Sequence, residues 1–155
     1  MARFERTIHI EAPASDVWAV MMDLEAWPAW ASQFKRLERM DGGPVKVGSR
    51  VRVRPTRLPA SVWLVTEYED GRSFTWKSTA APGVHLIGGH ALTPDSRGTN
   101  AAFWLEATGI LGRLLSPILH STFFSRNTRN ATEGLKKRVE ANVESSERRE
   151  PAPHA

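Results

Sequence analysis

The sequence predicts an α+β domain. A curved seven-stranded antiparallel sheet wraps around one long C-terminal helix, in the order β-α-α-β6-α. Three observations carry that prediction. Seven segments alternate with period two and are separated by turn residues. Two short helical segments follow the first strand. From residue 111 to 144 the period becomes that of a helix and stays so. Consecutive strands joined by short turns imply a meander. A twisted sheet of that width forms a groove, and one helix fills only part of it.

Residues 3–11 open as a strand, with Phe4, Arg6, Ile8 and Ile10 on one face. Pro13 breaks it. A helix then starts at Ala14 or Ser15, with Asp16 in the first turn, where negative charge suits the helix dipole. Val17, Trp18, Val20 and Met21 form its apolar face, and Asp23 ends it. A second short helix covers 24–30, with Pro28 near its start, where a missing N–H is tolerated. Strands follow at 34–40, 49–57, 61–68, 73–79, 84–93 and 99–108. Pro55 and Pro59 place the end of the 49–57 strand at a sheet edge or bend it away. Glu69-Asp70-Gly71 makes a tight hairpin turn. Gly109, Gly112 and Pro117 predict an irregular start or a kink in the long helix. Residues 145–155 are polar, end in Pro-Ala-Pro-His-Ala, and read as a disordered tail. One domain, 1–144, is expected before it.

Composition narrows the function classes. The 155 residues are 41% hydrophobic and 25% charged, ordinary values for a globular domain. No apolar run approaches the roughly 20 residues of a membrane span. The first residues lack a signal-peptide layout, so a cytoplasmic location is expected. There is no cysteine, which removes thiolate catalysis and Cys-based zinc sites. The net charge is +4. The densest basic stripe, Arg50, Arg52 and Arg54, has no interleaved aromatics and reads as a solvated face, so no nucleic-acid partner is expected. No phosphate-binding glycine loop, nucleophile elbow or dinucleotide fingerprint is present. His9, His85, His90, His120 and His154 are too scattered for a metal site. Neither cofactor nor metal is expected.

The order Ile8-His9-Ile10-Glu11-Ala12-Pro13-Ala14-Ser15-Asp16-Val17-Trp18, followed by Asp23-Leu24-Glu25-Ala26-Trp27-Pro28, resembles the opening of the START-like (SRPBCC) superfamily. It is similar to the polyketide cyclase/dehydrase and lipid-transport group. Val47-Gly48-Ser49-Arg50-Val51, the 65–76 hairpin and Gly134-Leu135-Lys136-Lys137-Arg138-Val139-Glu140 agree. The resemblance spans residues 4–144. It implies a helix-grip fold and a cavity for a lipid, polyketide or aromatic metabolite. Some members of the superfamily catalyse and many only bind, so the fold does not choose between them.

The inward stripe of the long helix, phased on Leu135, runs through Val139, Ala131, Thr132, Thr128, Phe124, Ser121, Ile118, Pro117 and Leu114. Ser121 and Thr128 sit mid-stripe. Either they offer hydroxyls to a ligand, or they bond back to helix carbonyls. Strand parity adds Trp63, Val65, Phe74, Trp76, Leu86, His90, Phe103 and Leu105 to the inner wall, and Trp27 joins from the second helix. The Gly88-Gly89 pair could hide a bulge that would exchange His85 for His90; shared parity with Leu92 favours His90 inward. Trp104 is left on the outer face in need of cover. Tyr68 has the parity of Leu64 and Thr66 and is expected to face outward. The mouth is expected where the 57–60 loop, the 80–83 loop and the 109–117 segment meet, with the last acting as a lid.

The expected function is non-catalytic binding or carriage of a small hydrophobic or amphipathic ligand. The alternative is a cyclase or dehydratase in which His90, the one inward candidate, acts as general base.

Overall fold

The computed structural model describes residues 3–119 and 124–149. Seven strands form one sheet: β1 (Arg3–Ile10), β2 (Phe34–Arg39), β3 (Arg50–Pro55), β4 (Ser61–Glu69), β5 (Ser73–Ala81), β6 (Val84–Asp95) and β7 (Gly98–Thr108). The spatial order is β1-β7-β6-β5-β4-β3-β2, antiparallel throughout. Strands β2 to β7 are therefore a meander, as short turns require. Strand β1 closes onto β7. Helix α1 (Ala14–Met22) and a 3₁₀ segment, Leu24–Ala29, carry the chain from one sheet edge to the other. β3 lies one strand in from the edge, so the expected edge belongs to β2. Pro55 is the last residue of β3, where its missing N–H breaks no interior ladder.

Helix α1 buries Val17, Trp18 and Met21, the face its spacing predicts. The 3₁₀ segment buries Leu24 and Trp27. Trp27 Nε1 donates to the Met21 carbonyl at 2.9 Å, tying the segment to the end of α1. With its one polar atom satisfied, the rest of the indole enters the core.

The described C-terminal residues fall in two helical segments. Helix α2 runs Ile110–Leu119 and contains Pro117; helix α3 runs Ser125–Arg149. α3 packs on β1 and α1, and Ala131, Leu135 and Val139 are buried. It continues five residues into the segment read as tail. Gly134 has a packing reason: a Cβ there would lie 1.7 Å from the Trp30 carbonyl oxygen. α2 departs further from expectation. The backbone N–H groups of Leu111 and Gly112 donate to the Gly83 carbonyl. Ile110, Leu114 and Ile118 are exposed, not inward. Pro117 is exposed as well, so the stripe extrapolated back from Leu135 does not extend into α2. Among the described residues no helix is long and apolar enough to cross a membrane.

Two details of the sheet correct the parity reading. The β4–β5 register shifts between Val65 and Glu67. The extra residue reverses parity, so Tyr68 pairs with Phe74 and packs on Trp18 at 5.9 Å between ring centroids. The expected outward Tyr68 is thus turned toward the core. Gly88 and Gly89, in contrast, hold no bulge, since both neighbouring ladders run through them unbroken. They are seats for tryptophans. A Cβ at Gly88 would meet Trp76 Nε1 at 2.9 Å on the inner face. One at Gly89 would fall 2.0 Å from the Trp104 ring on the outer face. The cover Trp104 requires comes from Arg3, whose guanidinium lies 3.7 Å from the ring centroid.

Candidate functional site

The inner face of the sheet is covered unequally. Toward the β4–β5 turn, Trp18 of α1 and Trp27 of the 3₁₀ segment pack on Phe74. Toward the 56–60 loop between β3 and β4, the described residues leave the inner face open. The space left there is a cavity of about 720 Å³ between β3–β7 and the first turns of α3. A volume of that size suits a drug-sized molecule.

Its inner end is a cluster of rings. Trp63 and Trp76 lie 5.2 Å apart, and Trp27 and Trp76 5.5 Å apart. His90 stands at the centre. It stacks on Phe74 at 4.4 Å and meets Phe103 edge-on at 4.5 Å. Trp27 and Trp76 close its other sides. Nδ1 of His90 is buried and meets no hydrogen-bond partner among the described residues. Burial alone lowers its pKa from 6.5 to about 3. The imidazole is therefore neutral at physiological pH, because no nearby charge or donor offsets its desolvation.

Trp27, Trp63, Trp76, Leu86, His90, Phe103, Leu105 and Thr128 of the residues expected from sequence line this cavity. Val65, Phe74 and Phe124 do not. Val65 and Phe74 are fully buried at the covered end of the sheet, so right parity placed them inside without placing them on the wall. Phe124 is fully buried just before α3 and does not reach the cavity wall. Ser121 lies outside the described residues. The Thr128 hydroxyl donates to the carbonyls of Phe124 (2.8 Å) and Ser125 (3.2 Å), which is the back-bonding alternative. His85 is exposed and shares a hydrogen bond with Thr79.

The mouth also differs from expectation. Its rim is the 55–60 loop facing the first turn of α3, with Ser32 and Gln33 between them. The 109–117 segment, expected as a lid, is helical and stays on the β6–β7 side of the molecule. The 57–60 loop with Arg57 lies at the mouth as expected, while sequence reasoning missed Gln33, Arg126 and Asn127 on the rim. They belong to loops and an exposed first turn, which carry no periodic signal. Gln33 joins the two sides. The Thr56 N–H donates to the Gln33 carbonyl at 3.1 Å, and Gln33 Nε2 donates to the Asn127 carbonyl at 3.2 Å.

A curled antiparallel sheet closed by a C-terminal helix defines a helix-grip α+β fold. The chain belongs to the family described as polyketide cyclase / dehydrase and lipid transport, which matches residues 1–140. It is similar to the Zhui aromatase/cyclase of a Streptomyces species, at 16% identity and a TM-score of 0.72, covering 94% of this chain and 97% of that one. A protein from Nitrosospira multiformis matches at 14% identity and 0.69, covering 92% and 99%. A protein from Thermus thermophilus matches at 20% and 0.68, covering 91% and 99%. At these identities the likeness establishes the fold. No curated protein matches the chain.

Proposed function

We propose that this protein binds a small hydrophobic or amphipathic molecule carrying an aromatic ring, without transforming it. The observation that carries this reading is the 720 Å³ cavity whose inner end is built from Trp27, Trp63, Trp76 and Phe103. Rings stack and meet edge-on with such a wall, and a flat ligand gains more there than in an aliphatic pocket.

The catalytic alternative draws on the family and on aromatase/cyclase neighbours. It needs a group that takes a proton near neutral pH. His90 was the candidate, and burial holds it near a pKa of 3. A base that weak is poorly matched to proton abstraction at pH 7. No aspartate, glutamate, lysine or tyrosine is among the described lining residues. Binding is the reading that the geometry supports best.

Native mass spectrometry of freshly purified protein, with tryptophan fluorescence during titration of aromatic probes, tests it. Leu86 is only part-buried and lines the cavity, so Leu86→Trp should fill the space and abolish binding while leaving the fold intact. Unimpaired probe binding by that variant would remove the cavity from the account.

A further inference from the structure

The charge on the cavity wall is one-sided. Among the described lining residues the charged side chains are Arg57 and Arg126, with no carboxylate beside them. Both are exposed, and both sit on the rim. None of the ion pairs among the described residues takes in either one. Elsewhere, Arg39 and Arg50 are held by Glu25 and Asp41 at 2.9 and 3.0 Å.

Gln33 ties together the two backbone segments that carry the rim arginines. Arg57 follows Thr56, whose N–H is fixed to the Gln33 carbonyl. Arg126 precedes Asn127, whose carbonyl accepts from Gln33 Nε2. Gln33 thus ties the loop through its backbone carbonyl and the helix turn through its side-chain amide, and those two segments carry the two guanidiniums. Two guanidiniums with no carboxylate among the described lining residues leave the rim positively charged. An anion placed between them offsets that charge and can accept their N–H groups in bidentate fashion.

We infer that the cavity takes an anionic aromatic ligand, with its ring among the tryptophans and its acidic group at the rim between Arg57 and Arg126. This rests on the binding reading above and narrows it to one class: aromatic carboxylates, sulfonates or phosphates. The arginines sit where an acidic group could remain partly hydrated, which avoids the cost of burying an ion.

A matched pair of probes tests the inference. 8-Anilinonaphthalene-1-sulfonate and N-phenyl-1-naphthylamine share a ring system, and only the first carries an anion. The sulfonate should bind the wild-type protein roughly tenfold more tightly, the scale of two solvent-exposed charge contacts. That preference should shrink as salt rises. In the double variant Arg57→Gln/Arg126→Gln the ratio of the two affinities should fall to about one. Equal affinities in the wild type, or a ratio that survives in the double variant, overturns the inference while the binding reading stands. Failure of both probes to bind sinks the binding reading and the inference with it. Sulfonate binding that persists in Leu86→Trp lies outside the cavity and also overturns it.

Discussion

Replacing His90 with phenylalanine should make the protein less sensitive to mild acid. The folded-state pKa of about 3 lies below the value of 6.5 for a free imidazole. The unfolded chain therefore binds the proton more readily. The sign follows from linkage: His90 carries no protonation penalty well above pH 6.5, and stability falls as pH drops through the window from 6.5 toward 3. Protonating the unfolded imidazole between pH 7 and pH 5 removes about 2 kcal/mol of folding stability, and about 4 kcal/mol would be lost by pH 3. Asp41 and Asp95 contribute little in that upper window. The Arg50 hydrogen bond holds the Asp41 carboxyl below its ordinary range. The Arg97 N–H, and then His9, do the same for Asp95. Groups of that kind lose their stabilisation only at lower pH. Urea denaturation at pH 7 and pH 5, for wild type and His90→Phe, isolates the His90 share as a difference of differences. Wild type should lose about 2 kcal/mol more than the variant between the two pH values. At pH 7 the variant should match or exceed wild type, because a ring without polar atoms replaces a buried Nδ1 that has no partner. Parallel losses in the two proteins would refute the reasoning and return His90 to the candidates for an acid–base role.

The remaining predictions concern packing and the rim. Glycine in the middle of a helix normally gains about 1 kcal/mol on conversion to alanine. Gly134→Ala should instead lose about 3 kcal/mol or more by urea unfolding, because its Cβ would strike the Trp30 carbonyl at 1.7 Å. Gly89→Ala should cost roughly 1–2 kcal/mol, since Trp104 can swing outward, and should increase quenching of tryptophan fluorescence by iodide. Gln33→Leu should cost about 1 kcal/mol through the lost bond to Asn127. It should leave exchange at the Thr56 amide slow, because that N–H is held by the Gln33 backbone carbonyl, which the substitution keeps; faster exchange there would show that the side chain also holds the loop.

The order of elements and the inner face of the sheet were legible in the sequence. Trp63, Trp76, His90, Phe103 and Leu105 were placed on the inner side by period two alone, because side-chain direction along a strand is a local property. The helical period around Leu135 and Val139 placed that face correctly for the same reason. What a local rule cannot supply is depth. Whether Phe74 is covered or lines open space depends on where Trp18 and Trp27 descend, and those side chains come from another part of the chain. A single bulge after Val65 carried Tyr68 to the other face, and no residue pattern announces such an insertion. The two glycines of β6 had a meaning visible only once Trp76 and Trp104 lay across them. The chain alone determined a wall of aromatic side chains. Tertiary packing decided which of them face a cavity, and set Arg57 and Arg126 at its rim, because that depends on elements distant in sequence meeting through Gln33.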